Sequence, residues 1–331
     1  MQAKQVNFQF KSQKNIGSSV NHYGIILAGG EGKRLQSLVY HLRGDHLPKQ
    51  YVNFIGKRSM LEHTFHRVEK LIFPEFLFSI VNPNHLGFQE VVNQLAPRPK
   101  DTVIFQPENK DTAPGLLLPL MHIYKENPDA VVSVFPSDQF VLEEALFMSY
   151  VEVAFRWVEQ NFSKIVLLGV EPGDPETEYG YILPVGNDKY FGGSSIREVS
   201  RFVEKPNLSR ARELVRSGGL WNTLVMTFKA KTLLEIVKGA FPQLFESFQR
   251  MGKGIGTTQE RRVVEEEYQK MVPVNFSRGI LEELPFKNPS SLLVLSVQGV
   301  YWSDWGSPNR LIGTLSQKKM EKKYIRPKGN L

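Results

Sequence analysis

Short, strongly apolar runs alternate with segments of helical spacing through the first half of the chain. The runs comprise residues 23–28, 76–81, 102–105, 130–135 and 164–170. Each is followed within two residues by Pro, Asn or Gly. Helical spacing is found between them, at residues 60–73, 113–125 and 143–162. Such runs are typical of strands buried on both faces, and their alternation with helices predicts βαβ units. We therefore expect a largely parallel sheet with helices on both faces.

The second half changes to hairpin-like strands separated by helices. Strands are predicted at 180–185, 196–204, 221–229 and 291–302, and helices at 208–217, 232–250, 258–271 and 309–318. No internal repeat or low-complexity linker divides the chain. The sequence therefore predicts one α/β domain over 23–316, built from halves at about 23–172 and 173–316 around a mixed, mostly parallel sheet.

The positive charge is concentrated at the two ends of the chain. The 331 residues include 41 Lys and Arg and 34 Asp and Glu, a formal net charge of +7. Residues 1–22 contribute +3 and residues 317–331 contribute +5, which leaves −1 for the body between them. We predict two basic, flexible tails. Because the body is close to neutral, the charge does not indicate a nucleic-acid or membrane partner.

Cysteine is absent, which excludes disulfides, thiolate metal sites and a cysteine nucleophile. The N-terminal residues lack the apolar stretch of a signal peptide, and no apolar run reaches the 18 residues of a membrane span. We expect a soluble, cytoplasmic protein whose chemistry uses oxygen and nitrogen groups.

A glycine-rich loop, Gly29-Gly30-Glu31-Gly32, follows the first predicted strand and is followed by Lys33 and Arg34. Backbone N–H groups at such a turn can approach an anion, and adjacent cations suit a triphosphate. The spacing matches neither a Walker A loop nor a dinucleotide fingerprint. A plain tight turn between strand and helix is the alternative.

Two aspartates close separate predicted strands: Asp138 in VFPSD and Asp304 in YWSDWGS. Carboxylates at the carboxyl ends of strands face the crevice of an α/β sheet. Two of them can hold a Mg²⁺ ion whose other ligands are water and phosphate oxygens. The alternative is that each aspartate caps a following turn or helix.

Glu204 and Lys205 end another predicted strand, in FVEKP. They can form a surface ion pair worth less than about 1 kcal/mol. Alternatively, Glu204 accepts hydrogen bonds from sugar hydroxyls and Lys205 meets a sugar phosphate.

Taken in order, the motifs of this chain resemble those of sugar-1-phosphate nucleotidyltransferases from about residue 23 to 310. The matching segments are LAGGEGKRL at 27–35, PKQ at 48–50, PSD at 136–138, EYGY at 178–181, FVEKP at 202–206, WNT at 221–223 and WSDWGS at 302–307. PKQ and PENKDTAP at 107–114 resemble the mannose-1-phosphate guanylyltransferase branch.

The resemblance implies a Rossmann-like, GT-A-type domain that joins a nucleoside triphosphate to a sugar 1-phosphate with Mg²⁺ and releases pyrophosphate. The implied catalytic residues are Arg34, Lys49, Asp138 and Asp304, of which Asp138 and Asp304 bind the metal. The implied nucleotide-binding residues are Leu27, Ala28, Gly29, Gly30, Gly32, Lys33, Glu108, Thr112 and Ala113. The implied sugar-phosphate-binding residues are Glu178, Gly180, Glu204, Lys205 and Asn222. GTP and mannose 1-phosphate are the expected substrates, and a homodimer is compatible with the sequence.

Three departures from the family pattern affect specificity. The segment 35–47 is longer than usual, Leu224 stands where the family has Gly, and Ser277 stands where it has Asp. The sequence therefore leaves two alternatives open. One is a uridylyl- or thymidylyltransferase acting on another hexose 1-phosphate, and the other is a non-catalytic subunit that binds a nucleotide sugar.

Overall fold

A computed structural model describes residues 22–316. The strands are β1 (His22–Leu27), β2 (Leu77–Val81), β3 (Val103–Phe105), β4 (Val131–Pro136), β5 (Phe140–Val141), β6 (Ile165–Val170), β7 (Gly180–Phe191), β8 (Ser194–Glu204), β9 (Leu220–Lys229), β10 (Leu292–Val297) and β11 (Trp302–Ser303). Nine of them form one sheet in the order β3-β2-β1-β4-β9-β6-β10-β8-β7, and β5 pairs with β11 in a separate two-stranded sheet.

The helices connect these strands and cover both faces of the large sheet. They are α1 (Gln36–Arg43), α2 (Met60–Val68), α3 (Gln89–Leu95), α4 (Thr112–Glu126), α5 (Glu144–Gln160), α6 (Leu208–Arg216), α7 (Ala230–Ala240), α8 (Pro242–Gly254), α9 (Glu260–Lys270), α10 (Leu284–Lys287) and α11 (Pro308–Leu315). Short 3₁₀ helices include Lys33–Leu35 and Lys49–Tyr51, and Ser277–Leu281 forms a short π-helix.

The core has two layers because side chains alternate across each strand. Ile25 packs in a cluster with apolar residues of α4, α7, α8 and α9. Its neighbour Ile26 packs in a second cluster with residues of α2, α3 and α5. The apolar strand runs of the sequence are thus explained by burial on both faces, as predicted.

The sheet is mixed. Strands β3, β2, β1 and β4 are parallel, and β9 inserts antiparallel between β4 and β6. Strands β6 and β10 are parallel, and the hairpin β7–β8 forms the far edge. The predicted α/β class is confirmed, and strands from both predicted halves join one sheet. The exact limits of those halves stay a prediction.

Two predicted elements are interrupted in the structure by a break that the sequence pattern did not show. The helix expected over 232–250 is two helices, because Pro242 begins α8 and Phe241 before it leaves the helical conformation, with φ −139° and ψ 72°. The strand expected over 291–302 ends at Val297, and Trp302 belongs to the small sheet instead. Gly299, at φ 72°, lies in the turn between them.

The predicted basic tails, apart from His22 in β1, lie outside the described residues. Within 22–316, no helix is both long enough and apolar enough to cross a membrane.

Candidate active site

A cleft lies at the carboxyl ends of the adjacent parallel strands β1 and β4. It consists of two connecting pockets of about 530 and 270 Å³ that share Leu27, Gly30 and Asp138. The larger pocket is also lined by Gly29, Gln106, Asn109, Asp111, Thr112, Pro136, Leu224 and Pro273. The smaller pocket is also lined by Gly32, Lys33, Arg34, Leu35, Lys49, Gln50, Ser137 and Gly306. The strand ends thus collect residues from distant parts of the sequence in one place.

The glycine-rich loop forms one wall of the smaller pocket. Gly32 has φ 63°, a left-handed conformation that turns the chain from the loop into the 3₁₀ helix Lys33–Leu35. Gln50 is buried, and its amide nitrogen donates to the carbonyl oxygens of Ala28 at 2.9 Å and Gly30 at 2.7 Å. The loop is therefore held from behind, and Lys33 and Arg34 stand exposed at its end.

Lys49 crosses the floor of the smaller pocket. Its ammonium lies 2.7 Å from Oδ2 of Asp138, and its side chain is only 9% exposed. The same ammonium donates to the carbonyl oxygens of Asp304 at 3.4 Å and Trp305 at 3.3 Å. Lys49 therefore connects the two aspartates that the sequence singled out.

The small sheet explains why these aspartates come together. Ser303 of β11 pairs with Phe140 of β5 in antiparallel register. Asp138 stands two residues before Phe140, and Asp304 directly follows Ser303. Buried Gln139 reinforces this arrangement, since it accepts a hydrogen bond from the Trp302 indole at 3.0 Å.

The Asp304 carboxylate is surrounded by donors. Oδ1 accepts from the Tyr179 hydroxyl at 3.0 Å and from the Gly306 backbone at 2.9 Å. The Arg310 guanidinium approaches edge-on, with Nε 3.0 Å from Oδ1 and Nη2 donating to Oδ2 at 3.3 Å. Burial and the Asp304 charge raise the pKa of Tyr179, so its hydroxyl stays a proton donor.

A second layer of ion pairs lies beside Asp304. Arg310 also donates to Glu176 at 3.1 Å, and its guanidinium stacks 4.7 Å from the centre of the Tyr179 ring. Arg34 pairs with Glu178. The segment before β7 therefore contacts an arginine of the glycine-loop region and an arginine of α11.

Gly306 is the point where these groups converge. A Cβ atom at this position would lie 2.4 Å from Oδ2 of Asp304, 2.6 Å from Nη2 of Arg310 and 3.0 Å from Nη2 of Arg34. Any side chain here would displace one of them. Gly306 lines the smaller pocket, whereas Asp304 lines neither pocket and lies directly behind Gly306.

The larger pocket is bounded by the segment before α4. Gln106 is 3% exposed, and its Oε1 has no hydrogen-bond partner within residues 22–316. Thr112 lines the pocket, as expected of a nucleotide-binding residue. Glu108 instead pairs with Lys110 and is exposed, while Ala113 is fully buried in the core. Neither of these two predicted residues lines the cleft.

Gly180, Glu204 and Lys205 lie together at the start of the β7–β8 hairpin. Gly180 pairs directly with Glu204, and the Lys205 ammonium lies 3.7 Å from Oε1 of Glu204. Burial raises the pKa of the Glu204 carboxyl, with a further contribution from the nearby Glu282 charge. Glu282 accepts a hydrogen bond from the Glu204 backbone at 2.7 Å.

Asn222 and Leu224 lie in β9, at the point where its pairing with β6 changes register. Asn222 is buried, and its side-chain oxygen accepts from the Leu224 backbone at 3.1 Å. This predicted sugar-site residue therefore supports the irregular backbone of β9 rather than lining the cleft. Leu224 lines the larger pocket with φ 58°, a left-handed conformation that is unfavourable for a branched residue.

Four residues of this region were not predicted from the sequence as site residues: Gln50, Gln106, Tyr179 and Arg310. Gln50 and Tyr179 stand inside motifs that were recognised, so their positions carried a signal that was not used. Gln106 directly precedes the PENKDTAP segment. Arg310 carries no local signal, because its partners Glu176 and Asp304 meet it only through the fold.

The carboxylates of Asp138, which lines the cleft, and Asp304, which lies beside it, suit a hard cation. Residues 22–316 contain no group of three or more His, Asp or Glu side chains placed to hold a metal ion. The two carboxylates of Asp138 and Asp304 are oxygen donors of the kind that Mg²⁺ prefers, and within that range Oδ2 of Asp304 accepts only one hydrogen bond. They fit a Mg²⁺ ion that receives its other ligands from water or a bound anion.

The chain is similar in sequence to known proteins of polysaccharide biosynthesis. The xanthan biosynthesis protein XanB of Xanthomonas campestris is 31% identical over 231 residues, which are 70% of this chain and 47% of that protein. The mannose-1-phosphate guanylyltransferase RfbM of Salmonella typhimurium is 28% identical over 292 residues, 86% of this chain and 56% of that protein. The chain thus spans about half the length of these curated relatives.

A solved structure from Thermus thermophilus, described as a mannose-1-phosphate geranyltransferase, superimposes with a TM-score of 0.73 at 27% identity. The match covers 90% of this chain and 80% of that one. The sequence profile of nucleotidyl transferases matches residues 23–320, which include both pockets of the cleft. The chain therefore belongs to the nucleotidyl transferase family, in its sugar-1-phosphate branch.

Proposed function

We propose that this chain transfers a nucleotidyl group from a nucleoside triphosphate to a sugar 1-phosphate and releases pyrophosphate. The observation that carries the proposal is the convergence of Lys33, Arg34 and Lys49 with Asp138 in one cleft at the carboxyl ends of β1 and β4. Three cations from two separate chain segments suit a triphosphate, and the carboxylate suits its metal ion.

In this reaction a phosphate oxygen of the sugar 1-phosphate attacks the α-phosphorus of the nucleotide. The bond from the α-phosphorus to the bridging oxygen breaks, and its electrons leave with pyrophosphate. The nucleophile is already an anion, so no side chain has to form a covalent intermediate. Arg34 and Lys49 stabilise the charge on the departing phosphates, and the glycine loop orients the chain of phosphates.

Mg²⁺ is the proposed cofactor, held by Asp138 and Asp304 together with phosphate oxygens. When bound, the ion supplies positive charge at the reacting phosphates. Lys49 orients Asp138, while Tyr179 and the Gly306 backbone orient Asp304. These contacts orient both carboxylates before the nucleotide and the ion arrive.

GTP and mannose 1-phosphate are the substrates we favour. The support is the likeness to RfbM, named a mannose-1-phosphate guanylyltransferase, over 86% of this chain. Gln106 lines the larger pocket, and its side-chain amide is proposed to contact the base there. Gly180, Glu204 and Lys205 are proposed to bind the sugar phosphate, with Lys205 meeting the phosphate.

Pyrophosphate release over a grid of nucleoside triphosphates and sugar 1-phosphates, with Mg²⁺, tests the proposal. We expect the highest kcat/KM for GTP with mannose 1-phosphate. Asp138→Asn and Asp304→Asn should each lower turnover by at least about 100-fold without unfolding the protein. Absence of turnover with every pair refutes the catalytic role, and a preference for UTP or dTTP supports a uridylyl- or thymidylyltransferase.

A non-catalytic subunit that binds a nucleotide sugar is the second candidate. Leu224, which fills part of the larger pocket in a left-handed conformation, favours it. Ser277, which stands where the family pattern has Asp, also removes one carboxylate from the candidate sugar-site residues. Tight nucleotide-sugar binding with no turnover in the same grid would support this candidate.

A further inference from the structure

Both carboxylates proposed to hold the metal are neutralised by cations of the protein itself. Asp138 pairs with Lys49 at 2.7 Å, and Asp304 is approached by two nitrogens of Arg310, at 3.0 and 3.3 Å. A divalent cation that reached either carboxylate alone would have to compete with a protein cation already in contact with it. This arrangement disfavours metal binding to the nucleotide-free protein.

We propose that Arg310 is a positioning residue that keeps Asp304 neutralised until nucleotide binds, so that the divalent cation enters together with the nucleotide. The inference rests on the proposed function, since it takes Asp304 as a metal ligand. Arg310 itself does not line the cleft. It acts through Asp304, and both side chains lie against Gly306, which lines the smaller pocket.

The position of Asp304 does not depend on Arg310 alone. The Tyr179 hydroxyl and the Gly306 backbone both donate to Oδ1, at 3.0 and 2.9 Å. These neutral donors hold the carboxylate but leave its charge in place. Removal of the Arg310 charge should therefore release the negative charge of Asp304 without releasing its side chain.

Arg310 keeps two other contacts when Asp304 binds a metal ion. Glu176 accepts from Nη1 at 3.1 Å, and the Tyr179 ring supports the guanidinium face at 4.7 Å. The guanidinium is held on three sides and is only 12% exposed. It can exchange its contact with Asp304 for a closer contact with Glu176 and remain buried.

The nucleotide supplies what the free site lacks. Its phosphates carry several negative charges, so they can take over Lys49 from Asp138 and contribute oxygen ligands to the ion. Within the complex of nucleotide and cation, the divalent ion itself then supplies the positive charge for which Asp304 exchanges Arg310. Cation and nucleotide binding are thus coupled through Arg310.

Binding of Mn²⁺ to the full chain, counted by electron paramagnetic resonance of the free ion, tests this coupling. Arg310→Gln removes the charge and keeps an amide donor, whereas Arg310→Lys keeps the charge. Without nucleotide, we expect Arg310→Gln to bind Mn²⁺ at least about tenfold more tightly than wild type, and Arg310→Lys to stay within about twofold. Adding GTP should reduce the difference between wild type and Arg310→Gln.

Arg250→Gln is the matched control, because Arg250 also contacts a carboxylate with two nitrogens, at 2.9 and 2.8 Å from Glu267, on helices outside the cleft lining. It should bind Mn²⁺ as wild type does. The double variant Arg310→Gln/Asp304→Asn should lose the gain. If the gain persists there, the ion binds elsewhere and the proposal is wrong.

Unchanged or weaker Mn²⁺ binding in Arg310→Gln also overturns the proposal. If that variant does not fold, as judged by circular dichroism, Arg310→Met replaces it as a neutral side chain of similar length. Failure of the proposed function gives a different result: no turnover and no nucleotide-dependent Mn²⁺ binding in wild type. The tighter Mn²⁺ binding of nucleotide-free Arg310→Gln is measured without turnover and without nucleotide, so it does not depend on those two results.

Discussion

The contact between Lys49 and Asp138 should stabilise the fold as well as the cleft, and a double-mutant cycle can measure it. Lys49→Met removes an ammonium that is 9% exposed and lies 2.7 Å from Asp138. Removing one partner of a fully buried pair costs about 3–5 kcal/mol, but Asp138 is 30% exposed, so water can replace part of the lost contact. We expect a loss of about 2 kcal/mol in the free energy of unfolding.

Asp138→Asn should cost less, about 1 kcal/mol, because the amide oxygen can still accept from Lys49. The double variant should cost about 2 kcal/mol, since Lys49→Met has already removed the contact that Asp138→Asn weakens. The coupling energy between the two positions is then about 1 kcal/mol. Urea unfolding followed by both circular dichroism and tryptophan fluorescence gives the required values where the two transitions coincide.

A surface pair of similar length provides the control. Lys229 lies 2.8 Å from Asp129, whose side chain is 73% exposed. Because solvent screens this pair, the corresponding Lys229→Met and Asp129→Asn cycle should show a smaller coupling energy. If the effects at Lys49 and Asp138 add within about 0.3 kcal/mol, burial has not strengthened their contact and the reasoning is refuted.

Three further substitutions probe other parts of the site. Leu224→Gly relieves a left-handed φ of 58° and empties part of the larger pocket, so relative kcat/KM among sugar 1-phosphates should change by about tenfold or more. An unaltered sugar profile would place Leu224 away from the sugar. Burial raises the pKa of Glu204 above 4.5, so the folded state retains protons that the unfolded state releases, and wild-type stability falls as pH rises above that value. Glu204→Gln should therefore gain unfolding free energy relative to wild type as pH rises above about 4.5, and equal pH profiles in urea unfolding would contradict this. Gly306→Ala places a Cβ 2.4 Å from Asp304, so pyrophosphate release should fall by about 100-fold, and wild-type turnover would disprove the convergence at Gly306.

The strands of the parallel part were predictable because burial on both faces leaves a continuous apolar run in the sequence. The run at 76–81 became β2, all five of whose residues are buried. Helix boundaries were less visible where tertiary packing decides them. The segment 232–250 has helical spacing on both sides of Pro242, so its periodicity alone did not show the break.

The site was predictable where a residue closes a strand or stands in a recognised motif, and not where long-range pairing creates its role. Asp138 follows β4, so the topology alone directs it to the cleft. Arg310 lies near the start of α11, where an arginine is an ordinary surface residue. Its contact with Glu176, 134 residues away, depends on how α11 packs beside the segment before β7.

The three best-defined cations of the site already have carboxylate partners in the nucleotide-free structure. Lys49 contacts Asp138, Arg34 contacts Glu178, and Arg310 contacts Asp304 and Glu176. A triphosphate therefore gains less from Lys49 and Arg34 than their number suggests, because each must give up a carboxylate contact. These contacts preorganise the site. The side chains are held close to their working positions before the nucleotide arrives, which lowers the reorganisation needed during the reaction. The +7 net charge of the chain has little part in this, since it belongs to the two ends, whereas binding depends on the exchange of partners among a few buried or half-buried groups.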